Sequence, residues 1–335
     1  MSLHVPRLPL QDLALAPSSL KAYQRSLSSF LSYARLTPQQ LLSEPAACLD
    51  QRLAVYIQHS YDTSSPFTYA SHALHAVIHH RPDVKAHMFI SRQCLKGWER
   101  TKEVSSHPPL TWELTVAIAC TLARSGFHGP AVAMLVAFDC YLRVGELTRL
   151  RLRDIILPDD ARMGRAHTNM AVCLAKTKTG INQSVSVDRL EVASILCAWV
   201  RALPRSVADP DPLIFAFSPD FLRRLMRQSC VQLGLGHTAY VPHSLRHGGA
   251  TADFLRTGSI ERVQFRGRWR SMESVRTYVQ AARALLGKQR VPDRLAQAGI
   301  QLSEVLVPVM TYLLLAVPEK VQQSRVAVRR VTFRL

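Results

Sequence analysis

The ten residues from Ala131 to Cys140 are apolar at every position except Asp139. A helix built from them has no face to offer to water, so other elements must enclose it on all sides. The chain must therefore build a layered globular core around this segment. Its 335 residues, 47% hydrophobic and 20% charged, supply enough apolar side chains for that, and the length exceeds what one core usually organises.

The part before this helix has a different character. Ser18 and Ser19 can cap a helix that places Leu20, Tyr23, Leu27, Phe30 and Leu31 on one face. Pro38 opens a second short helix, and Leu53 to Ile57 suggests a third. Tyr69, Leu74 and Ile78 mark a fourth, stopped by Pro82, and Val84, Met88 and Leu95 a fifth. A polar, proline-containing stretch at 101–109 then breaks the pattern and reads as a linker. The expected organisation is a helical domain at 1–100, the linker at 101–109, a second domain at 110–290, and a tail at 291–335. In the second domain Thr111 caps an amphipathic helix. After the buried helix the period shortens. Leu150 to Arg153 alternates, Met170 to Leu174 is strand-like, and Val185 to Val187 alternates again. Between the last two lies Lys176-Thr177-Lys178-Thr179-Gly180, which reads as a β-hairpin with a basic tip. Helices resume at Leu190–Leu203, Asp220–Leu233, Ser244–Arg256, Ile260–Phe265 and Met272–Leu286, with one more near Leu295–Val307. The fold class is mainly α with a small antiparallel β-sheet.

Charge narrows the partner. The net charge is +18, and residues 220–290 carry 13 Lys and Arg against 4 Asp and Glu, an excess of nine. Nearly all of these cations are Arg, whose planar fork suits bidentate contact with phosphate. Such a field attracts polyanions, of which nucleic acid is the commonest soluble one, although an acidic membrane surface is also compatible. The seven cysteines are widely separated without a C-x-x-C pair, so neither a disulfide framework nor a zinc site is expected. No apolar run resembles a secretory signal, and the segment from Val305 to Val317 contains Pro308 and is too short to span a bilayer. The reading is of a soluble intracellular protein without a cofactor or metal.

Four motifs then converge on one reaction. They are Arg143-Val144-Gly145-Glu146-Leu147, the lysine-bearing hairpin tip, His243-Ser244-Leu245-Arg246-His247-Gly248-Gly249-Ala250-Thr251, and Gly267-Arg268-Trp269 with Tyr278 nine residues beyond the tryptophan. Phosphoryl transfer needs a nucleophile in line, cations on the non-bridging oxygens and a proton donor for the leaving oxygen. Two arginines and a lysine can meet these needs, and the chain shows no evident carboxylate cluster for a two-metal site.

In these motifs the chain resembles the tyrosine recombinases, the family of phage integrases, Cre and the Xer proteins. The likeness runs from about residue 10 to 290. Arg143–Leu147 resembles the family's R-x-G-E-L box, His243–Thr251 its H-x-L-R-H box, and Tyr278 stands at the nucleophile spacing. Lys178 sits where the hairpin lysine sits, and Trp269 takes a position that is His in most members and Trp in Cre. The resemblance implies a helical core-binding domain joined to a catalytic domain of the DNA breaking-rejoining fold, together clamping double-stranded DNA. It implies that Tyr278 attacks the scissile phosphate to give a 3′-phosphotyrosyl bond. Arg143 and Arg246 would hold the non-bridging oxygens, Lys178 would protonate the leaving 5′-oxygen, and His243 would take the tyrosine proton. Trp269 would donate its indole N–H to the phosphate, and Glu146 would orient Arg143 or His243. Recombination would need a homo-tetramer on two DNA sites, with the helix near 293–307 packing on a neighbouring protomer.

Plainer readings stand beside these. Arg143 and Glu146 alone would make an ordinary surface ion pair. Trp269, among Arg266, Arg268 and Arg270, would serve as a core anchor or a cation–π partner. The two glycines after His247 are poor helix material and point to close packing against something, DNA among the options. Tyr141 and Tyr240 are rival tyrosines, but neither follows a G-x-W box. The histidines at 72, 75, 79 and 80 fit a polar helix face and receive no role. At the level of the whole chain, a catalytically silent DNA-binding derivative, a type IB topoisomerase-like enzyme and a general basic nucleic-acid binder remain open.

Overall fold

The structure is a computed structural model that describes residues 9–102, 107–158, 160, 170–176, 180–204, 209–280, 284 and 291–320. Contacts divide the chain into two compact units, Met1–Ser105 and Ser106–Leu335.

The first unit is helical throughout its described residues. Its elements are α1 (Leu10–Leu13), α2 (Pro17–Ala34), α3 (Pro38–Ser43), α4 (Ala46–Asp62), α5 (Phe67–His80), a 3₁₀ turn (Pro82–His87) and α6 (Phe89–Thr101). Phe30, Leu49, Leu53, Ile57, Leu74, Val77, Val84 and Met88 form its core. Two sequence expectations need correction. Ser18 and Ser19 do not cap α2; they lie in its first turn, because Pro17 occupies the first helical position, where its missing N–H costs nothing. Val84 and Met88 do not share a helix with Leu95. The buried Asp50 carboxylate accepts from the N–H groups of Ile90 (2.8 Å) and Ser91 (2.9 Å), satisfying donors at the start of α6 and restarting the helix there. The histidine face on α5 is partly covered, with His75 and His80 left exposed. His72, His75 and His79 surround the Tyr23 ring, and His79 Nε2 meets Asp12 at 2.8 Å.

The second unit contains α7 (Trp112–Arg124), α8 (His128–Asp139), α9 (Val144–Leu147), β1 (Ile155–Ile156), β2 (Met170–Lys176) and β3 (Ile181–Val187). These are followed by α10 (Leu190–Ala202), α11 (Pro219–Gln232), α12 (Pro242–Thr257), α13 (Ile260–Gly267), α14 (Met272–Tyr278), α15 (Asp293–Glu304) and α16 (Leu306–Ala316). Every residue of α8 is buried, as its composition requires. The helix capped by Thr111 is less amphipathic than its sequence suggests: in α7 all but Glu113 and Arg124 are buried, since α8, α11, α12, α15 and α16 all pack on it. The strands form an antiparallel sheet ordered β1-β2-β3, with Ile155 opposite Val172 and Val172 opposite Val185. The alternating segment Leu150–Arg153 is not a ladder strand. Asp154 accepts from the Arg151 N–H at 2.9 Å and folds it into a 3₁₀ turn, while Leu150 and Leu152 pair with the backbone at 212–214.

Two differences lie near the C-terminus of this unit. The helix expected over Met272–Leu286 ends at Tyr278, whose carbonyl accepts from the Thr251 hydroxyl at 3.2 Å. The segment expected as one helix near Leu295–Val307 is two, α15 and α16, bent by 88° at a break and packed on α7 and, for α16, on α10 of the same chain. Among the described residues no single helix is long and apolar enough to cross a membrane.

Candidate active site

Helix α12 is the backbone of the site. Pro242 holds its first position, and the Ser244 hydroxyl accepts from the Val241 N–H at 3.2 Å, which fixes where the helix starts. His243, Arg246, His247 and Thr251 project from it. Gly248 and Gly249 are there because α12 runs against α8 and the approach to α7 with almost no clearance. A Cβ on Gly248 would lie 2.0 Å from the Leu110 carbonyl oxygen, and one on Gly249 2.0 Å from that of Phe138. The close partner that the glycines predict is thus the protein's own backbone.

That proximity lets Arg246 cross the interior. It is fully buried; its Nη1 donates to the Tyr141 carbonyl and its Nη2 to the Gly267 carbonyl at 2.7 Å. Its Nε has no partner. The guanidinium carbon lies 4.4 Å from the Trp269 ring centre and 5.2 Å from that of Tyr278. The cation–π partner of Trp269 is therefore Arg246, which comes from another helix, and not one of the arginines flanking it in sequence. The Tyr278 ring stacks on His247 at 4.6 Å (20° between planes), lies 4.6 Å from Trp269 and 5.4 Å from His243. Its phenol is half-buried. The Trp269 indole N–H is buried and unpartnered, a donor left without an acceptor beside a cluster of cations.

Arg143 follows a chain reversal at Tyr141, whose φ is 49°, and precedes α9 as its cap residue. Its Nη1 meets Glu146 Oε1 at 2.7 Å, and Glu146 Oε2 accepts from the Arg143 N–H at 3.0 Å and from Arg268 Nη2 at 2.9 Å. Of the two partners expected for Glu146, the structure joins it to Arg143. Burial pushes its carboxyl upward, but the charge of Arg268 and the bonds from Arg143 hold it below the usual glutamate value. His243 lies 5.0 Å from His247 and 6.1 Å from His107, ring to ring. Burial, with His247, Arg246, His107 and Arg143 nearby, pulls its pKa down to about 4, so the ring is neutral at physiological pH. Burial, Arg143 and Arg268 likewise hold Arg246 below the usual guanidinium value. Bound anions would relieve that repulsion.

The structure thus brings Arg143, Glu146, His243, Arg246, Trp269 and Tyr278 into one region; Lys178 lies outside the described residues. His247, Thr251, His107 and Arg268 were not singled out from sequence. His247 had a signal, standing one helical turn after His243. Arg268 had none, because its burial depends on Glu146, 122 positions away. Of the rival tyrosines, Tyr141 is buried with its hydroxyl donating to Asp253 at 2.6 Å, and Tyr240 is also buried. Among the described residues no group of three or more His, Cys, Asp or Glu could hold a metal ion.

No family model matches the chain, and no curated protein matches it. Solved structures do. A lambda integrase dimer bound to a COC′ core site aligns with a TM-score of 0.56 at 14% identity, covering 82% of this chain and 75% of that one. This is the tyrosine-recombinase fold. A lambda integrase tetramer bound to a Holliday junction gives a TM-score of 0.55 at 14% identity, covering 81% and 76%. XerH site-specific recombinase bound to palindromic difH substrate in a post-cleavage complex gives 0.54 at 14% identity, covering 78% and 76%. The tyrosine-recombinase fold accounts for the helix-rich second unit with its small antiparallel sheet.

Proposed function

We propose that the chain is a site-specific recombinase that cuts and rejoins double-stranded DNA through Tyr278. The observation that carries the reading is the packing of the Tyr278 ring against His247 and Trp269, within reach of the buried Arg246 guanidinium, on the fold described above. A free phenol has a pKa near 10 and is a poor nucleophile at neutral pH, so it reacts only where cations stabilise the charge that develops.

In this reading the Tyr278 hydroxyl oxygen attacks the scissile phosphorus in line, the bond from phosphorus to the 5′-oxygen breaks, and a 3′-phosphotyrosyl bond forms. His243, neutral in the free protein, takes the phenol proton. Arg143 and Arg246 hold the non-bridging oxygens, and the unpartnered Trp269 N–H donates to the same phosphate. Lys178 protonates the leaving 5′-oxygen. Attack by a 5′-hydroxyl from a second strand reverses the sequence and rejoins the DNA. Lambda integrase is seen as a dimer on a core site and as a tetramer on a Holliday junction. By analogy, four protomers of this chain on two DNA sites carry out the exchange inside the cell. Phosphate contacts dominate the affinity, so binding weakens steeply with salt.

The test is incubation with nicked suicide duplexes taken from the DNA flanking the chain's own coding region. A denaturation-resistant protein–DNA adduct that vanishes in Tyr278→Phe is the expected result. An adduct that persists in Tyr278→Phe assigns the chemistry to another nucleophile, and relaxation of supercoils lacking any paired site favours a topoisomerase.

A further inference from the structure

Arg268 sits at the C-terminal end of α13 with a φ of 57°, a left-handed conformation that a glycine adopts without strain and an arginine does not. Its side chain is 3% exposed, and so is that of its partner Glu146. Glu146 divides its two oxygens between Arg268 and Arg143. A carboxylate that only oriented Arg143 would also cancel its charge, leaving Arg246 as the net cation among the described residues. With Arg268 included, three guanidiniums face one carboxylate among the described residues, and that surplus of positive charge suits the negative charge of a phosphate under attack. We infer that Arg268 is a positioning residue for DNA cutting: it neutralises the carboxylate that aims Arg143, so that Arg143 is both oriented and available to the phosphate. The inference rests on the recombinase reading above.

The experiment compares wild type, Arg268→Met, Arg268→Lys, Glu146→Gln and the double variant Arg268→Met/Glu146→Gln, in the full chain. One arm measures the single-turnover rate of the Tyr278 adduct and the DNA dissociation constant. The other titrates the Glu146 carboxyl by carbon NMR on glutamate-labelled protein, with Glu146→Gln supplying the assignment. Arg268→Met is expected to slow adduct formation about 100-fold while DNA affinity changes by less than about threefold. Glu146 is expected to titrate about one unit higher or more in that variant. Arg268→Lys, which keeps the charge and tests the inference even where the methionine variant does not fold, is expected to cut within about tenfold of wild type and to leave Glu146 low. Removing the unbalanced carboxylate in the double variant is expected to recover about tenfold over Arg268→Met. Wild-type cutting by Arg268→Met, an unmoved Glu146, or a double variant no faster than Arg268→Met overturns the inference. A wild type without a Tyr278-dependent adduct sinks the recombinase reading instead. The titration then decides by itself whether Arg268 neutralises Glu146.

Discussion

Arg266 and Arg268, separated only by Gly267 and both buried, enter two ion clusters of different balance. Arg266 meets Asp139, Asp188 and Asp253, to which Arg256 and Arg262 also bond. Three arginines face three carboxylates, and the Tyr141 hydroxyl adds a bond to Asp253. This cluster lines a cavity of about 540 Å³. Burial pushes Asp139 upward against the charge of Arg266, while Tyr141, Arg266, Arg262 and Arg256 hold Asp253 low despite its burial. Arg268 instead pairs with Glu146, which also pairs with Arg143, and among the described residues no second carboxylate accompanies these arginines and the neighbouring Arg246. Opposite charges in equal number offset one another and hold helices together. An excess of buried cations is costly until an anion arrives. In the recombinase reading the cavity belongs to the scaffold, and the chemistry falls on the other side, where the Trp269 indole N–H is left open.

Removing a cation from the unbalanced side has the largest expected effect. Arg246→Met should lower the rate of Tyr278 adduct formation by about 10³-fold, the scale of one lost oxyanion donor or more. It should also destabilise the fold, because the carbonyls of Tyr141 and Gly267 lose their donor. Single-turnover rates normalised to folded protein separate the two. Arg266→Met, on the balanced side, should cost about 3–5 kcal/mol of stability in denaturant titrations, since it strips a partner from buried carboxylates. Its cutting rate per folded molecule should stay within about tenfold of wild type. A stable but inactive Arg266→Met would erase the distinction between the clusters.

Gly249→Ala probes what the clusters share. The added methyl would meet the Phe138 carbonyl and the Tyr141 ring. It would push α12 away from the segment that carries Asp139, Tyr141 and Arg143. A loss of about 1–3 kcal/mol is expected, with adduct formation slowed as well, because overpacking here displaces both sides together. Thermal unfolding and the adduct assay on one preparation check it; a change confined to one of them would mean that the clusters are mechanically independent.

Much of this was legible in the sequence, and for identifiable reasons. The all-apolar α8 announced its own burial, and the helices from Leu190 onward carried a clear period. The boxes around Arg143, Arg246 and Tyr278 are short and local, so the resemblance to the tyrosine recombinases could nominate them. What escaped was set by distant partners. Val84 and Met88 fit a helical period, but Asp50 restarts the helix after them. Leu150–Arg153 alternates like a strand, yet its polar neighbours fold it into a turn. Trp269 stands among three arginines and binds a fourth from α12. Arg268 reads as one more cation in a basic stretch, and its pairing with the buried Glu146 sets it apart.

The smallest effect sharpens the electrostatic half of the comparison. His243 borders the cation-rich side, and burial, followed by His247 and Arg246, holds its pKa at about 4, against about 6.5 in an unfolded chain. As pH falls, the unfolded chain therefore binds a proton first. His243 contributes stability above pH ~6.5 that is lost progressively as the pH drops towards 4. Because the ring is partly exposed, solvent screening reduces the effect to about 1 kcal/mol. His243→Asn should flatten that part of the stability–pH profile measured by denaturant titration, leaving the contribution of His128, which burial also lowers. A phosphate among Arg143, Arg246 and His243 would favour the protonated ring. The slope assigned to His243 should then shrink when duplex DNA is bound. A slope that DNA leaves untouched would place the phosphate elsewhere, and with it the surplus charge would lose its purpose.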